Sequence, residues 1–370
     1  MQSYLIIILI ISLIGLFFFG IFVGTYKIFP YSEFDNIKAQ FEFSDRQVDY
    51  NLLTNFSPHN LISIENKDNI LQKRNELIKF IWKTDHLPDI LPDIIEKQIN
   101  DERFEKIKNL KQIDKLTIQM RDGVDSIIYL FLPEVSNNKL TIYHQGHSGG
   151  FINGKVTIEQ FLNQGYTVAA FSMPLTGMNS QPMIDIENIG PIKFSQHKQF
   201  VLLERNSFST ISYFLTPLSA TLNHLDENYQ FDEYHMIGIS GGGWASTIYP
   251  AIDPRISKSF SVSGSLPLGL RHDNKDIGDY EQFHPGLYSI VNYLELYVMS
   301  SYGYEREFVQ IINKYDPCCF AGNSYEYYND EVEEIVNRLN SGNFSIIVDD
   351  THYEHKISTH AFDLILERLS

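Results

Sequence analysis

The chain has 370 residues, 43% of them hydrophobic, and a formal net charge of −17. Its length allows one large domain or two of ordinary size, and its apolar content is enough for a sizeable core. The acidic balance argues against nucleic-acid binding and against electrostatic adhesion to anionic lipid, because both polyanions are bound through Lys and Arg surfaces.

The first element in the chain is an apolar segment without charge, from Tyr4 to Gly24. About 20 such residues span the hydrocarbon core of a bilayer when they form a helix. A cleavable signal peptide is the alternative, but no basic region precedes the segment, its apolar run is too long, and no Ala-x-Ala-like site follows. The sequence therefore predicts a retained, single-pass membrane anchor over residues 1–25 and leaves the side of the membrane open.

Residues 26–114 predict a linker followed by a helical segment that packs on the domain formed by the rest of the chain. Two helices are expected, at about Asn69–Trp82 and Ile90–Ile107, because apolar residues recur there at helical spacing. The second of these has Pro92 near its start and is rich in Glu and Lys.

From about Lys115 to the C-terminus, predicted strands alternate with predicted helices. An Arg121-Asp122-Gly123 turn joins the first two strands as a hairpin. The predicted strands are 116–120, 126–132, 140–143, 166–172, 234–239, 259–262, 308–312 and 344–348, and the main helices are about 157–163, 207–225 and 359–369. Strands separated by helices imply a mostly parallel central sheet flanked by helices, so residues 115–370 predict one α/β catalytic domain.

A Gly-x-Ser-x-Gly motif, Gly238-Ile239-Ser240-Gly241-Gly242, directly follows predicted strand 234–239 and precedes a helix-compatible stretch. A sharp strand-to-helix turn holds such a serine in a strained conformation, and glycine is needed on both sides because larger side chains would collide. The helix N-terminus also offers N–H groups to a developing oxyanion. A glycine-rich turn that merely contains a serine is the alternative. The position between strand and helix favours Ser240 as a catalytic nucleophile.

The loop after predicted strand 140–143 reads His144-Gln145-Gly146-His147-Ser148-Gly149-Gly150. A serine hydrolase needs two backbone donors directed at the tetrahedral oxygen. One donor comes from the residue after the nucleophile, here Gly241. The other comes from this loop, where we predict the N–H of His147, with Gly146 making the tight turn. A glycine turn that simply opens a helix is the alternative.

A nucleophilic serine needs a histidine as general base and a carboxylate that orients it. In α/β domains with a serine in such a strand-to-helix turn, these residues follow in the order Ser, Asp, His, so the base is expected near the C-terminus. Three histidines follow the last predicted strand: His352, His355 and His360. His355 best fits a loop that reaches back over the sheet. His352 is the alternative, and His360 is expected within the last helix.

The predicted acid is Asp316, which closes the penultimate strand. Pro317 stops that strand and turns the carboxylate toward the C-terminal edge of the sheet, where ligands bind in open α/β proteins. Asp349 and Asp350, at the end of the last strand, and the more remote Asp279 are the alternatives.

The two cysteines of the chain, Cys318 and Cys319, are adjacent. Neighbouring cysteines rarely pair with each other because the ring is strained, so the sequence predicts no disulfide framework. They also lack the spacing of zinc ligands. We expect them to pack beneath the loop that follows Asp316.

Residues 265–306 form a long insertion after predicted strand 259–262. It contains Gly278-Asp279-Tyr280-Glu281 and an aromatic helical stretch at about 288–297. Insertions of this kind often form a lid or a substrate wall, and they are equally often an ordinary helix layer. The sequence leaves both possibilities open.

Taken together, these residues resemble the α/β-hydrolase superfamily over about residues 115–370. The resemblance rests on the Gly238–Gly242 motif, the His144–Gly150 loop, Asp316 and His355, in that superfamily's arrangement. The stretch Ala251–Ile256 is similar to the acetyl xylan esterase, dienelactone hydrolase or prolyl oligopeptidase branch. This resemblance implies a Ser–Asp–His triad and ester or peptide substrates. The segment after the anchor is too short for the β-propeller of prolyl peptidases, since the smallest propeller needs about four blades, and this disfavours a peptidase.

The predicted function is hydrolysis of a small-molecule carboxylic ester at a membrane surface, through Ser240, Asp316 and His355 and an acyl-enzyme. The oxyanion would be held by the amides of Gly241 and His147, and no metal or organic cofactor is needed. A serine peptidase or an acyltransferase of the same fold is the runner-up. A catalytically silent binding protein with this fold is a further alternative, which the three filled triad positions disfavour.

Overall fold

The computed structural model describes residues 2–26, 28–31, 56–272 and 276–370. Its helices are α1 (Gln2–Tyr26), α2 (Pro58–Leu61), α3 (Lys67–Trp82), α4 (Lys155–Asn163), α5 (Ser212–Asn228), α6 (Gly241–Ile252), α7 (Pro285–Tyr288), α8 (Tyr293–Ser301), α9 (Asn329–Leu339) and α10 (Thr359–Leu369). Its strands are β1 (Ile94–Glu96), β2 (Leu110–Ile118), β3 (Ser126–Pro133), β4 (Lys139–His144), β5 (Thr167–Phe171), β6 (Met183–Ile186), β7 (Gly190–Lys193), β8 (Glu233–Ile239), β9 (Ile256–Val262), β10 (Glu307–Asn313) and β11 (Asn343–Asp349).

The central sheet has the strand order β1-β2-β3-β5-β4-β8-β9-β10-β11. The run from β5 through β4, β8, β9 and β10 to β11 is parallel, whereas β1, β2 and β3 add antiparallel strands at one side. Helices connect the parallel strands because a parallel pair needs a crossover that returns the chain to the same edge. The predicted mostly parallel sheet flanked by helices is therefore confirmed.

Two apolar layers cover the two faces of the sheet. Consecutive residues of β3 show the alternation, since Leu130 packs into one layer and Phe131 into the other, and both are fully buried. Helices α3, α5, α6, α8 and α9 contribute to the first layer, and α4 and α10 contribute to the second.

The strand register places several loops at one edge of the sheet. In the parallel pairs His144 lies opposite Gly238, Ile239 lies opposite Val262, and Asn313 lies opposite Asp349. The carboxyl ends of β4, β8, β9, β10 and β11 therefore meet at the same edge, where loops of open α/β sheets form ligand sites.

The helix predicted at Ile90–Ile107 is wrong. The structure has β1 there, paired antiparallel with β2 so that Ile95 lies opposite Leu116, and then a 3₁₀ turn over Glu102–Phe104. The β-branched pair Ile94-Ile95 favours a strand over a helix. The edge of β2 offers backbone hydrogen-bond partners to that strand. Tertiary pairing therefore overrides the charged composition of the segment.

The helix predicted at about Asn69–Trp82 is confirmed as α3. The side chain of Asn66 caps its N-terminus by accepting hydrogen bonds from the amides of Asp68 and Asn69, and Lys83 ends it in a left-handed conformation. The hairpin of β6 and β7 and the helix α9 were not predicted. The two strands of that hairpin have only four residues each, too few for periodicity to identify.

Helix α1 covers most of the predicted apolar anchor. Its segment Leu9–Tyr26 is long and apolar enough to cross a membrane, and signal sequences near an N-terminus have the same length and composition. The large apolar side chains of this segment are mostly exposed, among them Leu9, Leu16 and Phe22.

Candidate active site

Ser240 occupies the turn between β8 and α6 with φ 58° and ψ −123°. This conformation is strained for a residue with a side chain, and it persists only when the surrounding structure enforces it. Two hydrogen bonds hold it, from the Ser240 amide to the carbonyl of Val262 (2.9 Å) and from the Trp244 amide to the carbonyl of Ser240 (2.9 Å). The strand–turn–helix geometry is the one that the sequence predicted.

The two glycines that flank the serine allow β8 and α6 to approach each other. A Cβ atom on Gly238 would overlap the carbonyl group of Gly242, and a Cβ atom on Gly242 would overlap the carbonyl group of His144 at the end of β4. The turn therefore packs backbone against backbone, and any larger residue at either position would push Ser240 out of place.

The loop after β4 lies directly beside Ser240. A Cβ atom on Gly146 would lie 2.6 Å from the Cβ of Ser240, so only a bare backbone fits there. The imidazole of His147 packs against the other side of the turn, where a Cβ on Gly241 would lie 2.5 Å from the Cε1 of His147. The structure thus brings together Ser240 and the two residues predicted to supply oxyanion donors.

The structure also brings together His355 and Asp316. The Nδ1 of His355 lies 2.6 Å from the Oδ2 of Asp316, although 39 residues separate them in sequence. The side chain of Asp316 is completely buried, whereas that of His355 is 18% exposed. The amide of Cys318 donates to the other carboxylate oxygen of Asp316 at 2.8 Å, which fixes the carboxylate orientation. A buried carboxylate aligns the ring, and the ring reaches the surface.

The sequence predicted that Asp316 closes the penultimate strand. In the structure Asp316 lies in the turn after β10 instead. The strand ends at Asn313, whose side chain donates to the carbonyl of Lys356 at 2.8 Å. The amide of Asp316 then donates to the carbonyl of Asn313 at 3.1 Å and closes the turn. Asn313 therefore ties the turn that carries Asp316 to the loop that carries His355.

His352, the alternative base, is engaged elsewhere. Its Nε2 lies 3.3 Å from the Oδ2 of Asp349, a contact within ion-pair distance but poorly aligned for a hydrogen bond. Its Nδ1 accepts a hydrogen bond from the amide of Glu354 at 3.1 Å. Both ring nitrogens of His352 therefore face groups of their own loop, whereas His355 contacts Asp316 in a different loop.

The alternative acids have other surroundings. Asp349 is buried and accepts hydrogen bonds from the amide and hydroxyl of Thr351 and from the hydroxyl of Ser358, so it organises the loop after β11. Asp350 is exposed. Asp279 belongs to a different cluster, described below. His360 is the second residue of α10, as expected.

Cys318 and Cys319 form a disulfide with each other, so the expectation that they do not pair is wrong. Strain makes such rings rare without forbidding them, and a frequency rule therefore does not decide a single case. The two sulfur atoms and a ring nitrogen of His355 lie within 4.8 Å of one another. Cys319 is buried, as expected for a residue beneath this loop, whereas Cys318 is exposed.

A second cluster of ionisable side chains lies beside His147. The Nε2 of His147 is 2.8 Å from Glu281 Oε1, and the Nδ1 of His197 is 3.1 Å from Glu281 Oε2. Asp279 Oδ2 is 3.7 Å from His147 Nε2 and 3.5 Å from His197 Nδ1. His197 and Glu281 were not predicted as site residues, because no local motif joins residues from three separate segments.

The carboxylate of Glu281 and the neighbouring imidazoles each stabilise the charged form of the other. Burial by itself would raise the pKa of Glu281, but the neighbouring imidazoles of His147 and His197 hold it well below the usual range. Burial likewise acts to lower the pKa of His197, yet the carboxylate of Glu281 outweighs it and the pKa of His197 is raised. The cluster therefore stabilises positive charge at the position of His197.

The insertion at 265–306 contains both a buried helix and a part that borders the site. All nine residues of α8 are buried, as in an ordinary helix layer. Asp279 and Glu281, in contrast, reach His147 next to the Ser240 turn. A cavity of about 370 Å³ on this insertion is lined by none of the predicted site residues; its lining is Phe56, Leu61, Pro267, Leu268, Gly269, Tyr288, Asn292, Tyr293 and Leu294.

Known structures share this architecture. The structure is similar to acetyl xylan esterases from a Thermoanaerobacterium species (TM-score 0.55, 14% identity) and a Paenibacillus species (TM-score 0.56, 12% identity); each comparison covers 84% of this chain and 96% of the other. A glucuronoyl esterase from Solibacter usitatus is also similar (TM-score 0.55, 11% identity, 80% of this chain and 91% of that one). No family model and no curated protein sequence matches this chain. The sheet, its helical layers and these likenesses show that the chain has the α/β-hydrolase fold.

Proposed function

We propose that the chain is a membrane-anchored serine hydrolase that cleaves carboxylic esters with Ser240 as its nucleophile. The observation that carries the proposal is the conformation of Ser240, which has φ 58° in a turn between a buried strand and a buried helix. Backbone strain of this kind costs of the order of 1–3 kcal/mol and is concentrated at functional positions. The turn presents the hydroxyl at the carboxyl edge of the sheet, where His355 and Asp316 also lie.

The proposed reaction is acyl transfer through a covalent intermediate. His355 takes the proton of Ser240 as the serine oxygen attacks the ester carbonyl, and Asp316 stabilises the imidazolium that forms. His355 then gives the proton to the departing alkoxide, which leaves as an alcohol. Water then attacks the acyl-enzyme while His355 takes a proton from it. His355 returns that proton to the oxygen of Ser240 as the acyl–oxygen bond breaks, which releases the carboxylic acid and restores the free serine.

The amides of Gly241 and His147 are the proposed oxyanion donors. Gly241 begins α6, and the first amides of a helix have no partner within the helix. The close approach of Gly146 to Ser240 brings the backbone of the following residue, His147, to the same place. Two such donors act together on the charge that develops on the carbonyl oxygen.

Esters are the substrates that we propose, in preference to peptides. The structurally similar proteins include acetyl xylan esterases and a glucuronoyl esterase, which are ester hydrolases by name. Cleavage of p-nitrophenyl esters of graded acyl length measures acyl preference directly. Assays with amide substrates and with competing alcohol acceptors distinguish the ester hydrolase from a peptidase and from an acyltransferase.

The decisive experiment is labelling of the full-length protein with a fluorophosphonate probe, together with hydrolysis of p-nitrophenyl acetate. Ser240→Ala is expected to abolish both without changing the circular dichroism spectrum. Ser148→Ala, which removes an exposed serine from the loop after β4, is the matched control and is expected to keep both. Labelling or turnover that survives Ser240→Ala would exclude Ser240 as the nucleophile.

Helix α1 is the proposed anchor. Its exposed apolar side chains and the length of Leu9–Tyr26 match the hydrocarbon thickness of a bilayer. We expect the full-length chain in the membrane fraction with an intact N-terminus by mass spectrometry, and a chain that begins at residue 56 in the soluble fraction. A mature protein that lacks residues 1–26 would identify the segment as a cleaved signal sequence.

A further inference from the structure

We propose that His147, His197, Asp279 and Glu281 bind one divalent metal ion of the zinc class beside the proposed active site. The four side chains come from three separate segments: the loop after β4, the 3₁₀ turn His197–Leu202, and the insertion that contains the 3₁₀ turn Tyr280–Gln282. Two imidazoles and two carboxylates are a donor set that suits zinc, whose ligands are nitrogen, oxygen and sulfur atoms.

The distances between the ligand atoms fit a tetrahedral ion. The four atom pairs given above are separated by 2.8, 3.1, 3.5 and 3.7 Å. Zinc bonds of about 2.0–2.1 Å at tetrahedral angles place neighbouring ligand atoms about 3.3–3.4 Å apart. One ligand atom from each of the four residues lies within 4.8 Å of the other three, so small side-chain adjustments would bring all four to bonding distance of one ion.

The second nitrogen of His197 has the partner that a metal-bound histidine needs. Its Nε2 lies 2.8 Å from the carbonyl oxygen of Pro174, an acceptor, so Nε2 carries a proton and donates it. In a neutral ring the lone pair of Nδ1 then faces the carboxylates of Glu281 and Asp279. A metal ion bound to Nδ1 would supply the positive charge that a proton on Nδ1 otherwise supplies, and backbone carbonyls commonly orient metal-bound histidines in this way.

Burial gives a further reason for a cation. The side chain of Glu281 is completely buried and that of His197 is 2% exposed, whereas those of Asp279 and His147 are 40% and 28% exposed. A buried carboxylate is costly unless positive charge compensates it. The two more exposed ligands leave a path by which an ion enters.

The ion would act on the active site through His147 and not as a reactant. The proposed acyl transfer by Ser240 has no step that uses a metal, and four protein ligands make a closed, structural type of site. The ion would fasten the loop after β4 to the insertion, which fixes the backbone of His147 next to Gly241. Binding of the ion does not depend on the proposed hydrolase activity, whereas its effect through His147 rests on that proposed function.

Metal binding is tested on the full-length Ser240→Ala chain in detergent, so that the result is independent of hydrolysis. The protein is stripped with a chelator, dialysed against micromolar ZnCl₂, and analysed for bound metal by mass spectrometry and for its melting temperature. We expect about one zinc per chain, a melting temperature several degrees higher with zinc, and the visible absorption of a tetrahedral site when Co²⁺ replaces zinc.

Substitutions at the proposed ligands and at a nearby residue test whether zinc binds at this cluster. Glu281→Gln and Asp279→Asn are each expected to lower bound zinc at least about tenfold. If Glu281→Gln fails to fold, Asp279→Asn still tests the site, because the more exposed Asp279 is expected to tolerate substitution. Glu204→Gln is the control, because Glu204 contacts His284, Thr210 and the hydroxyl of Tyr280 and is not one of the four proposed ligands. This variant should bind zinc fully. A stripped wild-type cluster that takes up no zinc, or equal uptake in all variants, would identify these residues as an ion-pair network alone.

Discussion

The Nδ1 of His355 lies 2.6 Å from the Oδ2 of Asp316, and the two side chains come from loops that follow the last two strands of the sheet. Because a carboxylate only accepts, the proton of this hydrogen bond resides on Nδ1, and Nε2 keeps the lone pair that a general base needs. The contact therefore selects one tautomer of His355 and orients its ring.

Asp316→Asn tests the importance of this contact for catalysis. An amide can donate to Nδ1 and so favour the wrong tautomer, and it cannot stabilise the imidazolium. We expect kcat to fall about 10³–10⁴-fold with p-nitrophenyl acetate, with a much smaller change in KM. Slower fluorophosphonate labelling of Ser240 should accompany the fall.

The companion experiment distinguishes the two candidate bases. His355→Ala should lower kcat as much as Asp316→Asn does, because the two residues act as one unit. His352→Ala removes a ring engaged by Asp349 and Glu354, and we expect a change in kcat of less than about tenfold with a modest loss of stability. The opposite order of effects would assign the base to His352.

Local patterns in the sequence predicted the parts of the molecule that depend on local chemistry. The strand, glycines and serine around Ser240 lie within one short segment, so an apolar strand followed by a glycine turn could be read directly. Chain order then restricted the candidates for base and acid, and the structure places His355 and Asp316 in contact.

No comparable local signal exists where distant segments meet. Glu281 lies 134 residues from His147 and 84 from His197, and no spacing rule joins residues across such intervals. The helix prediction for residues 90–107 was wrong for a related reason, since the structure of this segment depends on pairing with the edge of β2 and not on its own composition. Pairings that are decided by tertiary contacts leave only weak traces in a single sequence.

Gly146→Ala tests the close packing of the loop after β4 against Ser240. The added methyl group would lie 2.6 Å from the Cβ of Ser240 and 2.7 Å from the carbonyl oxygen of Ile239, so either the loop or the serine must move. Displacement of an oxyanion donor costs about 10²–10³-fold in kcat, and we expect a loss of this size in the ester assay.

Gly190→Ala is the matched control for that substitution. Gly190 has φ +99° in the β6–β7 hairpin, and a Cβ there meets no atom within 4 Å. The backbone penalty of about 1–2 kcal/mol should lower the melting temperature and leave kcat unchanged. Equal losses of kcat in the two variants would mean that Gly146 acts through stability alone.

Asp349→Asn should make stability less dependent on pH. Burial by itself would raise the pKa of Asp349, but contacts with His352, Ser358 and Thr351 hold it well below the ordinary value of 3.8. A lowered carboxyl pKa contributes stability that is fully present above the ordinary pKa and is lost as pH falls through the folded-state pKa. We expect a deficit of about 1–3 kcal/mol at pH 7 that shrinks below about pH 4.

Melting temperatures across this pH range measure the effect. Asp350→Asn, at the exposed neighbouring position, is the control and should stay within about 0.5 kcal/mol of the wild type at each pH. A deficit in Asp349→Asn that is constant from pH 7 to pH 3 would show that the carboxylate charge does not contribute.

Replacement of both cysteines by serine tests whether sulfur chemistry contributes to catalysis. The sulfur atoms of Cys318 and Cys319 lie near the ring of His355, but the group that holds Asp316 is the backbone amide of Cys318, which serine retains. We therefore expect kcat within a few-fold of the wild type and unchanged labelling of Ser240, with or without reductant. A loss of more than about 100-fold, or activity that reductant switches in the wild type and not in the variant, would give the disulfide a direct role at the site. The magnitude separates the two cases, because loss of a properly oriented acid costs about 10³–10⁴-fold.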